Sequence, residues 1–194
     1  MQTSLSFKIL GLIIVVVVVL DQITKYIVKT SMYLHQSIPV IGNFFQFTYV
    51  ENSGMAFGVR LGNPVVFMGL SIVAAILVFY YLYRMRGHNW LPQIALAFIS
   101  AGAIGNLYDR FVYGRVIDFL DFEFWDINIP TFKIIGMNFS GYSMTRWPVF
   151  NVADMAVTCG MIIIISYLVF IGDPLKITDN STAVQANEAP NGSL

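Results

Sequence analysis

FKILGLIIVVVVVLDQITKYIV, residues 7–28, decides what kind of protein this is. From Ile9 to Leu20 the run carries no charge. As a helix it measures roughly 33 Å, enough to cross a hydrocarbon layer of about 30 Å. Its five consecutive valines favour strand in water, but in lipid a helix satisfies its own backbone polar groups and is the state available to a single segment. Three more runs of this kind follow, at 65–83, 91–107 and 152–171. The residues after the first run, Lys29 to Leu34, lack the small-x-small pattern of a cleaved signal peptide, so the first run is read as a retained helix. The expected fold class is therefore an all-α membrane protein with four transmembrane helices.

Composition agrees. The 194 residues are 57% hydrophobic and 11% charged, against about a quarter charged in an ordinary soluble domain. Net charge is zero, with no basic cluster for nucleic acid or anionic lipid. His35, His88 and the single Cys159 are scattered, which gives neither a metal-ligand spacing nor an intrachain disulfide, and no cofactor is expected. In the third run Ala101 and Gly105 stand four apart with Gly102 beside them. Small residues so spaced let helices approach closely, and this span is expected at the centre of the bundle.

Two long connections join the spans. Residues 37–62 alternate and hold the turn pair Gly42-Asn43, which predicts a small β-element. Residues 108–150 are rich in Phe and Trp, as suits a membrane–water interface. From residue 173 the chain turns polar and is expected to be a disordered tail, leaving 1–172 as one transmembrane domain. Arg84 and Arg86 in the short link between the second and third runs point to the cytoplasmic side, but the opposite side holds more Lys and Arg in total.

Ionisable groups are rare, and an Asp at the centre of a span costs roughly 2.5–3.5 kcal/mol, so each is a functional candidate. Asp21 and Lys25, Asn106, Asp109 and Arg110, Asp118, and Asn151 and Asp154 come from four segments that converge on one layer. Each has a plainer reading. Asp21 and Lys25 fit a helix-face ion pair. Asn151-x-x-Asp154 fits a helix cap. Asp118 has Arg110 and Arg115 as candidate partners, and Asp121, Glu123 and Asp126 read as solvated loop charges.

Five blocks, in order, carry a resemblance: Asp21-Gln22-x-Thr24-Lys25; Glu51-Asn52-x-Gly54-x-Ala56-Phe57; Gly102-Ala103-x-Gly105-Asn106-Leu107-x-Asp109-Arg110; Val116-x-Asp118-Phe119; and Phe150-Asn151-x-Ala153-Asp154. Up to about Ile171 the chain resembles signal peptidase II. The resemblance implies an aspartic endopeptidase of the bacterial inner membrane. Such an enzyme removes the signal peptide of diacylglyceryl-modified prolipoproteins by cutting before the lipidated cysteine. It assigns catalysis to Asp118 and Asp154, with Asp21, Lys25, Asn52, Gly54, Asn106, Asp109, Arg110 and Asn151 as substrate-binding or supporting residues. It further implies a metal-free site, sensitivity to globomycin-type inhibitors, contact with membrane lipid, a monomer, cytoplasmic termini, and an active site on the extracytoplasmic face. The link between the two aspartates is longer than the family usually has, so residues from about Glu123 to Trp147 read as an interfacial loop insertion. The competing readings are a proton- or ion-conducting protein, since intramembrane Asp and Arg mark those as well, and a bundle without chemistry.

Overall fold

The computed structural model describes residues 4–53, 55–56, 59–60, 64–134, 137–139 and 141–172. The expected tail from residue 173 lies outside them, as does Gly54. Among the described residues four helices form: α1 (Phe7–Ser31), α2 (Pro64–Arg84), α3 (Trp90–Tyr113) and α4 (Val152–Phe170). Of these α1, α3 and α4 are long and apolar enough to cross a membrane, while the apolar part of α2 is counted as the shorter Met68–Arg84. Helix starts and stops follow local chemistry. Pro64 opens α2 at a position where its missing N–H is no loss. Gly114 ends α3 at φ 71°, its N–H returning to the Arg110 carbonyl at 3.0 Å in a left-handed cap.

The chain divides into two compact units. One takes α1 as far as Leu20, α2 from Met68, α3 as far as Tyr108, and α4; the other takes Asp21–Phe67 and Asp109–Asn151. In the helical unit Leu10, Leu82, Met85, Leu96 and Ala97 form the packed core, and Ile13, Ile14 and Val78 rest against it. A membrane helix pair gains nothing from water exclusion and relies on close contact. Gly102 lies against the Ala153 carbonyl and the Val157 side chain, and Gly160 against the Ala95 carbonyl and Ile99, so that a Cβ at either would collide with α3 or α4. In the window that defines each span, α3 is 56% buried, against 11% for α1 and 22% for α4. Large apolar side chains such as Leu12, Leu70 and Val169 point outward, as helices bathed in lipid require. Cys159, which its sequence setting marks as a packing residue, is also exposed on α4.

The second unit carries the sheet. Strands β1 (Ser37–Ile41), β2 (Phe45–Asn52), β3 (Met55–Ala56), β4 (Val59–Arg60) and β5 (Val116–Phe122) follow in chain order, and three of them form an antiparallel sheet in the order β1-β2-β5. Gly42, at φ 48°, makes the β1–β2 turn, as the Gly42-Asn43 pair predicts. Pro39 sits in β1, an edge strand, where a missing donor is tolerated. The ladder between β2 and β5 shifts register between Phe47 and Val50, which sets Val50 opposite Asp118. Beyond β5, strands β6 (Ile127–Ile129), β7 (Phe132–Ile134), β8 (Met137–Phe139) and β9 (Tyr142–Met144) pair as β6–β9 and β7–β8. Among its described residues the inserted stretch is thus a β-hairpin arm. The fold is a membrane fold of apolar helices with the expected small β-element, a sheet whose third strand comes from the second connection and bears Asp118.

Candidate active site

Within the sheet unit, Asp118 is 3% exposed on β5. Antiparallel pairing puts Val50 opposite Asp118 and Asn52 opposite Val116, so Asn52 and Asp118 share one face. Asn52 Nδ2 donates to Asp118 Oδ2 at 3.2 Å. Asn151, fully buried, donates from Nδ2 to Asp118 Oδ1 at 2.7 Å and to the Ile117 carbonyl at 3.3 Å. Both carboxylate oxygens thus receive an amide donor. Arg115, one of the partners considered for Asp118, instead pairs with Glu51 at 2.8 Å.

A buried charge group lies in the same unit. Lys25 Nζ is 2.8 Å from both Asp21 Oδ2 and Asp109 Oδ2. Gln22 Nε2 donates to Asp109 Oδ1 at 2.9 Å and to Asp21 Oδ2 at 3.1 Å. Asp21 and Asp109 are 0% exposed and Lys25 is 1% exposed, so this is not the solvated helix-face pair that its i, i+4 spacing allows. Two carboxylates about one ammonium survive burial only with further donors. Here Gln22 and the Ile117 N–H, 3.3 Å from Asp109 Oδ2, provide them. That last bond fixes the backbone one residue before Asp118.

In the helical unit Asp154 lies in the first turn of α4, where the helix dipole favours an anion. Asn106 Nδ2, from α3, donates to its Oδ1 at 2.7 Å. Arg110, half-buried near the end of α3, belongs to the sheet unit.

Two features escaped the sequence. Tyr49 donates to Glu51 Oε1 at 2.9 Å; burial first, then that bond and the Glu51 charge, push its phenol up to about 12. Asp121 was expected to be solvated but is 3% exposed, accepting from Gln46, Thr48 and Arg146. Its place on β5 carries the one available signal: a strand that alternates Val116, Asp118, Leu120 on one face buries Asp121 on the other. Among the described residues no group of three or more His, Cys, Asp or Glu could hold a metal ion.

The family model described as Signal peptidase (SPase) II matches residues 13–170. A lipoprotein signal peptidase of Syntrophus aciditrophicus is 40% identical over 77% of this chain and 84% of its own length. One from Staphylococcus aureus is 36% identical over 87% and 89%. A bacterial membrane enzyme structure obtained by the in meso method at 2.3 Å resolution superposes with a TM-score of 0.65 at 30% identity, covering 100% of this chain and 99% of that one. Apolar helices, a small sheet and aspartates held by asparagine amides, with these likenesses, define the class: a bacterial membrane-embedded peptidase. The chain belongs to the signal peptidase II family.

Proposed function

We propose that the chain removes signal peptides from diacylglyceryl-modified prolipoproteins by aspartic chemistry, with Asp118 and Asp154 as the catalytic pair. The observation that carries this reading is the amide donation each receives: Asn52 and Asn151 on Asp118, Asn106 on Asp154. A carboxylate meant for proton transfer must be fixed in orientation, and an amide N–H does that without adding a charge of its own. One carboxylate takes a proton from water as its oxygen attacks the carbonyl carbon before the lipidated cysteine. The other gives its proton to the carbonyl oxygen. The tetrahedral diol then collapses, the C–N bond breaks, and a proton passes to the departing amine. The shared proton belongs to the pair rather than to either aspartate.

Asp21, Lys25 and Asp109 serve as the buried frame behind β5; Gly54 and Arg110 are assigned to substrate on the family resemblance. In the same reading α2 is the fourth span, residues 1–172 form the protease domain, both termini are cytoplasmic, and sheet and arm lie outside the inner membrane. The protein acts as a monomer, and globomycin-type inhibitors occupy the same site. The deciding experiment compares a lipidated with an unlipidated precursor peptide. Cleavage confined to the lipidated one, releasing a product that begins with the modified cysteine, is expected; equal cleavage of both removes the substrate assignment.

A further inference from the structure

Arg146 stands on the returning leg at the neck of the hairpin arm, and its guanidinium reaches across to the outgoing leg and to the β1–β2 turn. Nε donates to Asp121 Oδ1 at 2.7 Å, Nη1 to Glu123 Oε2 at 2.6 Å and to the Asn43 carbonyl at 2.9 Å, and Nη2 to the Asp121 carbonyl at 3.3 Å. The Asp121 carboxylate is itself fixed to β2 by Gln46 Nε2 at 2.7 Å and Thr48 Oγ1 at 2.6 Å. After Arg146 the returning chain runs back along β5. The Trp147 N–H meets the Phe122 carbonyl at 2.9 Å, and Phe150 exchanges bonds of 3.1 and 2.7 Å with Leu120. The next residue is Asn151, whose amide lies 2.7 Å from Asp118 Oδ1.

The segment leaving Asp118 and the segment arriving at Asn151 are therefore laid side by side, and the guanidinium closes this short ladder where the arm opens. The ladder lacks a donor in its middle, because Pro148 has no N–H to give. Along a strand, a slip of one residue turns every side chain to the opposite face. Such a slip would carry the Asn151 amide away from Asp118. Arg supplies a rigid fork able to hold one register, which a single-point ammonium cannot.

We propose that Arg146 is a positioning residue for Asp118: its clamp on Asp121 and Glu123 fixes the register of the return leg, so that Asn151 meets the carboxylate whatever the arm beyond the neck contains. This rests on the assignment of Asp118 to catalysis. The test uses the full chain, purified in detergent, with a lipidated precursor peptide. Arg146→Ala should lower kcat about tenfold or more, as small misplacements of a reacting group do. Its KM should stay within about twofold, the pattern of a lost transition-state interaction. Amide hydrogen exchange at Leu120 and Phe150 should quicken, and Arg146→Lys should fall between. Replacing residues 127–144 by Asn-Gly, a pair suited to a tight hairpin, should keep kcat within about threefold, since the neck is untouched. Normal kcat in Arg146→Ala, unchanged exchange at Leu120 and Phe150, or an equal loss of kcat in the arm-shortened protein each overturns the proposal. If the shortened protein does not fold, the Ala and Lys variants decide alone. Asp118→Asn, run in parallel, separates the two claims: its activity tests the catalytic assignment, whereas exchange in Arg146→Ala reports on the clamp without reference to activity.

Discussion

An aspartate and an asparagine differ by one exchangeable proton, and on Asp118 and Asp154 that difference should decide activity. Asp118→Asn and Asp154→Asn are each expected to insert, melt near the parent temperature and lose about a thousandfold or more of turnover, within the range of acid–base catalysis. The double variant should be hardly worse than either single one, because members of one catalytic unit are not additive. Turnover near the parent rate in either single variant sinks the mechanism. Tyr49 offers a check independent of catalysis. Its phenol is raised from 10.0 to about 12, so the folded state holds that proton more tightly than the unfolded chain. The resulting stability is full below pH 10.0 and is lost as pH rises to about 12. Absorbance titration of the parent against Tyr49→Phe should show a late-ionising component lost in the variant; identical titrations remove the assignment. Asp118 and Asp154 stand out in the sequence because carboxylates in apolar settings are costly, and the resemblance alone assigns them to catalysis. Asp121 does not stand out, because its partners Thr48, Gln46 and Arg146 stand 73, 75 and 25 residues away.

At the scale of elements, the buried charge group and the glycine contacts hold the pieces. Lys25→Met leaves Asp21 and Asp109 without their ammonium and should cost about 3–5 kcal/mol, the usual penalty for removing one partner of a buried pair. Unfolding in detergent measures it, and adding Asp21→Asn and Asp109→Asn should recover part of the loss. Gly102→Ala drives a methyl into the Ala153 carbonyl, part of α4's backbone rather than a yielding side chain. A loss of about 1–3 kcal/mol is expected, typical of overpacking, and a variant as stable as the parent would mean that the helices part freely. The helices were readable because lipid demands long uncharged runs: 7–28 became Phe7–Ser31, 65–83 became Pro64–Arg84, and 152–171 became Val152–Phe170. Strand β5 was harder. Val116–Phe122 mixes apolar residues and two aspartates, and its strand character comes from pairing with β2, whose matching residues lie far off in sequence. In the arm the strands are three residues each, too short for alternation to declare itself.

For the whole molecule, the orientation can be read with a membrane-impermeant thiol reagent. Cys159 is the sole cysteine, so a Cys159→Ser background is silent. Ser143→Cys, exposed on β9, should label from outside intact spheroplasts, and Ser4→Cys, exposed ahead of α1, only after lysis. The reverse pattern inverts the proposed topology. The helical unit also constrains how the protein is made. The Leu5 N–H donates to Gln93 Oε1 at 3.0 Å, while Gln93 Nε2 reaches the Met85 carbonyl at 2.9 Å and the His88 carbonyl at 3.1 Å. One buried amide thus clasps the approach to α1, the end of α2 and the link that follows. Leu5 and Gln93 are 88 residues apart. At about 5–20 residues per second of synthesis the wait between them is roughly 4–18 s. During that interval α1 and then α2 are synthesised, but the side chain that fastens them is translated only at its end. The early helices must therefore be held by the insertion machinery or by lipid, and the bundle locks only when α3 arrives.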